Sequence, residues 1–140
     1  MIKRIGLCAL ALVACILSIQ AQTQVIAHRG FWKTEGSAQN SITALEKAAE
    51  AKLYGSEFDV LMTVDGKMVV NHDNTIEGMI IPETSYKQLK KLKIKNGEKL
   101  PTLKNYLKKG KKLDIQLILE AKPLPTKEME DQAIASIVKM

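Results

Sequence analysis

The chain has 140 residues, with 21 Lys and Arg against 15 Asp and Glu, a net charge of +6. That length leaves room for one ordinary domain. Both cysteines, Cys8 and Cys15, lie in an apolar segment near the start, so the remainder excludes a disulfide framework and a thiolate metal site.

The apolar segment runs from Ile5 to Ile19, behind Lys3 and Arg4 and ahead of Ala21 and the polar Gln22-Thr23-Gln24. It is shorter than the roughly 20 residues that cross a bilayer. It fits a secretory signal peptide over residues 1–21, which predicts an exported protein, periplasmic or secreted, with no transmembrane span in the mature chain, residues 22–140. Leu12-Val13-Ala14-Cys15 offers an alternative, a lipobox with a lipidated Cys15; against it stands Ile16-Leu17-Ser18-Ile19, apolar where a lipoprotein tether is usually polar. Without the leader, 19 basic residues face 15 acidic ones, a charge of +4.

Val25 to Ala27 reads as a short buried strand. Ile42, Leu45, Ala49 and Leu53 recur at helical spacing, with Asn40 or Ser41 as N-cap and Gly55 as the stop. Glu57 to Val64 is extended, Asp65-Gly66 predicts a two-residue hairpin turn, and Lys67 to His72 returns. Thr84 or Ser85 caps a helix carrying Leu89 and Leu92; Pro101-Thr102 opens another, which Gly110 ends. Leu113 to Glu120 is the next strand, and Thr126 starts a helix with Met129, Ala133, Ile137 and Val138. The lysines between Lys87 and Lys112 belong to solvated helix faces. Nucleic-acid binding would want Arg and stacking aromatics interleaved with them, and only Tyr86 and Tyr106 are at hand.

Strands alternating with helices predict a largely parallel α/β fold. About three strands of a main sheet and one hairpin arm are present, whereas a (β/α)8 barrel takes about 250 residues. The expectation is the front part of such a barrel, with the C-terminal half missing and with Val60, Ile115 and the Met129–Val138 face short of packing partners.

Strand alternation puts Glu57 and Asp59 on one face, opposite Phe58 and Val60. A two-residue turn at Asp65-Gly66 pairs Val64 with Lys67, Met62 with Val69 and Asp59 with His72. The only histidines, His28 and His72, each follow a strand, as do Arg29 and Asp73, and Glu120 and Lys122 share a face at the end of a third. Barrel folds keep their chemistry at such ends. Carboxylates can hold a hard cation such as Mg²⁺, Ca²⁺ or Mn²⁺, Arg and Lys can grip phosphate oxygens, and two imidazoles can serve as general acid and base. The set suits phosphoester cleavage, with Gly30 letting the backbone approach the phosphate.

His28-Arg29-Gly30, Gln39-Asn40-Ser41, Glu57-x-Asp59, the Asp65-Gly66 hairpin, His72-Asp73, Leu100-Pro101-Thr102-Leu103 and Glu120-x-Lys122 resemble, in order and spacing, the glycerophosphodiester phosphodiesterases. The resemblance implies a TIM barrel of the PLC-like phosphodiesterase type that hydrolyses glycerophosphodiesters to glycerol 3-phosphate and an alcohol. It implies His28 and His72 as acid and base, Glu57, Asp59 and Glu120 as ligands of Ca²⁺ or Mg²⁺, and Arg29 and Lys122 as phosphate contacts. A neighbouring substrate hydroxyl often serves as nucleophile in that family, giving a cyclic phosphate. Two departures stand out. Gln39 replaces the usual Glu and supplies a hydrogen bond but no charge, and only residues 74–99 separate His72-Asp73 from Leu100-Pro101, where the family usually carries an insertion. Two other readings are an incomplete barrel that binds without turnover, its strand edges unpaired, and a basic module for anionic surfaces.

Overall fold

The computed structural model describes residues 23–140. The leader reading and both cysteines fall outside the described residues. No described helix is long and apolar enough to cross a membrane.

Six strands and four helices follow in the order β1 (Ile26–Ala27), α1 (Ile42–Glu50), β2 (Gly55–Met62), β3 (Met68–Val70), β4 (Thr75–Ile76), β5 (Met79–Ile80), α2 (Tyr86–Leu89), α3 (Leu103–Leu113), β6 (Gln116–Ala121) and α4 (Lys127–Val138). A 3-10 turn, Ile81–Glu83, links β5 to α2. β2 is the spine. β6 runs parallel along one edge, from Gly55↔Gln116 to Val60↔Ala121. On the other edge β1 pairs in parallel with the first residues of β2, and β3 pairs antiparallel with its last three. β2 therefore outruns β1 and continues into a hairpin arm, and the point where the parallel sheet ends is the height of Glu57 and Asp59.

Alternation along β2 sorts its side chains as expected. Phe58, Val60 and Met62 face a core with Leu45 of α1, Leu103 and Tyr106 of α3, Ala133 of α4, and Met68 and Val70. Phe58 stacks on Tyr106 with ring centroids 4.5 Å apart. Leu61 shares the other face with Glu57 and Asp59 and packs with Val69, Ile76, Ile81, Leu89 and Leu100. Val60 is 1% exposed, so the expected lack of cover there is wrong: the helices over β2 bury it. The expectation holds for part of α4, where Ile134 and Val138 are exposed.

Local chemistry explains most helix ends. Ser41, not Asn40, caps α1, its hydroxyl accepting from the Ala44 amide. Thr102 and Thr126 do the same for α3 and α4. α1 stops at Glu50, short of Gly55, which instead opens β2. Gly110 does not end α3. It lies inside the helix, where an added Cβ would meet the Leu117 side chain at 2.5 Å, and the helix runs on to Asp114 in the left-handed region. The strand expected from Leu113 accordingly starts at Gln116. The helix expected to carry Leu89 and Leu92 is a single turn, followed by a tight loop closed by an isolated bridge, Lys93↔Lys99. A small hairpin, β4–β5, turns through Glu77 and Gly78, both at positive φ.

The main hairpin differs from its expectation by one residue. The Thr63 amide donates to the Lys67 carbonyl and the Gly66 amide to the Thr63 carbonyl, with Gly66 at φ 75°, so the loop is the three residues Val64, Asp65 and Gly66. Met62 pairs with Met68 and Leu61 with Val69. Asp59 therefore meets Asn71, whose amide donates to its carbonyl, and not His72. A slip of one residue moves every side chain of the return strand to the other face.

Gly30 is also corrected. At φ 79°, its missing Cβ would lie 2.6 Å from Ala44 Cβ and 2.9 Å from the Ala44 carbonyl carbon. Its smallness serves the packing of the loop on α1, not a ligand. Gly30→Ala is expected to lose about 3 kcal/mol of stability, from overpacking together with a left-handed backbone, read as a lower midpoint in urea denaturation.

Candidate active site

Three strand ends deliver charged groups to one place. β1 ends at Ala27 beside Ser56, which carries His28 to Glu57: His28 Nε2 stands 3.9 Å from Glu57 Oε2, and the Arg29 amide donates to the same oxygen at 2.8 Å. The register of β6 sets Glu120 beside Asp59, and two residues on, the Lys122 amide donates to the Val60 carbonyl. Lys122 Nζ then reaches Glu120 Oε1 at 2.6 Å and Asp59 Oδ1 at 2.9 Å.

Glu57, Asp59 and Glu120 each offer an oxygen, and these oxygens lie within 4.8 Å of one another. Asp59 is wholly buried, Glu57 partly, and Glu120 is exposed. Burial raises the Glu57 pKa against the lowering effect of the Arg29 amide, and the negative charge of Asp59 adds to the rise. Burial works against the charge of Lys122, but its contacts with Glu120 and Asp59 outweigh it and the pKa is raised. Glu57 Oε1 and Asp59 Oδ1 are buried without an aligned hydrogen bond, although Lys122 stands at ion-pair distance from the latter. Converging carboxylates, with Glu57 Oε1 buried and without a partner, fit a hard divalent cation. The residues present can hold one.

Arg29 adopts φ 59°, and its guanidinium is held on two sides, Nη1 donating to Gln39 Oε1 at 2.8 Å and Nε standing 3.6 Å from Asp59 Oδ2. Gln39 thus does what its neutral amide allows. Asn40, not foreseen as a site residue, is 2% exposed and clamps Asp59 twice: its Nδ2 donates to Asp59 Oδ2 at 2.8 Å, and its Oδ1 accepts from the Asp59 amide at 3.1 Å. The signal available for it was an Asn beside a helix cap, a residue type that tolerates the left-handed backbone it adopts at φ 61°.

His72 is the residue the structure does not bring onto Asp59. It follows β3 in irregular chain, and among the described residues its side-chain polar partner is Asp73, at 2.7 Å from Nδ1. It lines a cavity of about 700 Å³ that also touches Arg29, Gln39 and Asn40. His28 thus stands beside the carboxylates, whereas His72 shares with Arg29 the lining of the neighbouring cavity.

The fold and the site define a class: part of an α/β barrel whose strand ends gather three carboxylates able to hold a cation, together with Arg, Lys and His. The model of the glycerophosphoryl diester phosphodiesterase family matches residues 28–139, and the chain belongs to that family. It is 37% identical over 94 residues to a glycerophosphodiester phosphodiesterase of Caldanaerobacter subterraneus subsp. tengcongensis, covering 59% of this chain and 38% of that relative. Among solved structures, it is similar to a glycerophosphodiester phosphodiesterase of Parabacteroides distasonis, with 56% identity and a TM-score of 0.81 over 83% of this chain and 49% of the other. A phosphodiesterase of Oleispira antarctica, in complex with the product sn-glycerol-3-phosphate, matches at 27% identity and a TM-score of 0.73, over 84% and 51% of the two chains. These structural neighbours are TIM barrels, and the chain has the fold of part of one. It spans less than half of the curated relative and about half of the solved structures.

Glu98 was also missed by the sequence reading. Its carboxylate accepts from the Ile42 and Thr43 amides at 3.0 and 3.2 Å, at the N-terminus of α1, and from Asn96 Nδ2 at 2.6 Å. Burial pushes its pKa up, but these hydrogen bonds outweigh it and the net shift is downward. A depressed folded pKa gives stability that is present above the unfolded value and lost as pH falls through the folded one. Glu98→Gln is expected to cost about 1 kcal/mol near neutral pH, and the gap to the parent closes on acidification below about pH 4, as followed by urea denaturation across pH.

Proposed function

We propose that the chain carries the metal- and phosphate-binding side of an enzyme that hydrolyses glycerophosphodiesters to glycerol 3-phosphate and an alcohol. The observation that carries this reading is the meeting of Glu57, Asp59 and Glu120 within 4.8 Å, flanked by His28, Arg29 and Lys122, in a chain of this family. The product held by the Oleispira antarctica relative supports the same substrate class.

Ca²⁺ or Mg²⁺ held by Glu57, Asp59 and Glu120 would supply charge stabilisation for the non-bridging phosphoryl oxygens. Arg29 meets the same phosphate with a guanidinium already fixed by Gln39 and Asp59, so little freedom is lost when substrate arrives. Lys122 gives a second cation from the opposite strand. One imidazole, of His28 or His72, takes the proton of the attacking oxygen as that oxygen bonds to phosphorus. The bond from phosphorus to the alcohol oxygen breaks, its electron pair leaves on that oxygen, and the other imidazole protonates it. The exposed ring of His28 and the half-buried ring of His72 both have room for this exchange. We also propose export, supported by Lys3-Arg4, the apolar run and Ala21.

Chelation by EDTA is expected to abolish glycerophosphodiester hydrolysis by the natural full-length protein, and added Ca²⁺ or Mg²⁺ to restore it. His28→Ala and His72→Ala each lower kcat/KM by about 100-fold or more, while alanine at Lys87, Lys90 and Lys91, on the solvated stretch, leaves it unchanged. Unaltered turnover by the His72→Ala protein would take that residue out of the mechanism, and loss of activity in the lysine variants would favour the basic-surface reading.

A further inference from the structure

The 700 Å³ cavity beside Arg29 has walls of opposite character. One is built by Asn71, His72, Asp73 and Glu77, from the end of β3 and the β4–β5 hairpin. The other carries Lys93 and Lys95. Arg29 is engaged by Gln39 and Asp59, and Asp73 by His72. Among the described residues Lys93, Lys95 and Glu77 form no ion pair, so the lining of the cavity carries two unpaired ammonium groups. The lysine wall has a fixed backbone: the Ile94 amide donates to the Glu98 carbonyl, the Gly97 amide to the Ile94 carbonyl, and Asn96 Nδ2 to the Gly36 carbonyl. The Glu98 carboxylate ties it to α1.

Resting on the hydrolase reading above, we infer that this cavity receives the alcohol arm of the diester, and that Lys93 and Lys95 select alcohols bearing a negative charge of their own, a carboxylate or a phosphate. The glycerol arm is uncharged and gives two ammonium groups nothing to pair with. A choline-type alcohol would bring a third cation to a wall that already holds two. The volume lies in the range of small-ligand sites, large enough for a head group beside the phosphate.

Calorimetry reports binding separately from turnover when the divalent cation that hydrolysis needs is withheld. The natural full-length protein is titrated with glycerophosphoserine, with a glycerophosphoinositol phosphate and with glycerophosphocholine in EDTA, and Ca²⁺ is added only for the turnover measurement. Both anionic ligands are expected to bind about tenfold more tightly than the choline diester, a margin that shrinks as salt is raised. The Lys93→Ala/Lys95→Ala protein is expected to lose that preference, binding both anionic ligands about tenfold more weakly than the parent and glycerophosphocholine no more weakly. Preference for the serine diester alone assigns the anion as a carboxylate, for the inositol phosphate alone as a phosphate. Equal binding by the parent protein, or a preference that survives the double substitution, overturns the inference. Turnover is then measured on the same samples: selective binding without hydrolysis defeats the hydrolase reading and leaves the anion site standing, whereas hydrolysis without selectivity does the reverse.

Discussion

Everything at the rim follows from the cost of putting Asp59 inside the protein. Its side chain is fully buried and shares its surroundings with two more carboxylates. Two unit charges 4.8 Å apart repel by roughly 3.5 kcal/mol at an effective dielectric of about 20. The fold answers with what lies closest: Lys122 from the next strand, Arg29 from the previous one, and the amide of Asn40. Two cations against three carboxylates leave one negative charge over, and two buried oxygens lack an aligned partner. A place that is held together yet not neutralised can accept a cation.

The support for that place is layered through the loop after β1. Gly30 lets this loop press on Ala44, and the Phe31 amide donates to the Ala44 carbonyl. The chain then circles back, the Asn40 amide donating to the Arg29 carbonyl, so that Asn40 reaches Asp59 and Ser41 caps α1. Glu98 closes the structure from outside by capping the same helix end. One helix N-terminus thereby joins β2 to the loop that walls the neighbouring cavity.

The hairpin arm illustrates how far local chemistry reaches. Asp65-Gly66 announces a turn, and a turn is there. Its length was decided by bonds the pair does not contain: Thr63 Oγ1 to Asp65 Oδ1, the Lys67 amide to Thr63 Oγ1, and the Tyr86 amide to Asp65 Oδ1. The last comes from 21 residues away. These hold Asp65 within a three-residue loop and shift the return strand by one, which is why Asn71, and not His72, stands across from Asp59. Gly110 makes the same point in a helix, since the Leu117 side chain packed on it, and not the end of α3, explains why it is small.

By itself the sequence determined what depends on near neighbours. Alternation put Glu57 and Asp59 on one face of β2, Ser and Thr marked the helix starts, and the order of the charged strand ends identified the family. Only the tertiary structure decided what depends on distant partners: the register of β3, the buried clamp of Asn40, the cap supplied by Glu98, and the packing reason for Gly30. The division has a physical cause. Periodicity and capping act over a few bonds and are written locally, whereas register and buried hydrogen bonds are settled when segments far apart in the chain compete for the same space.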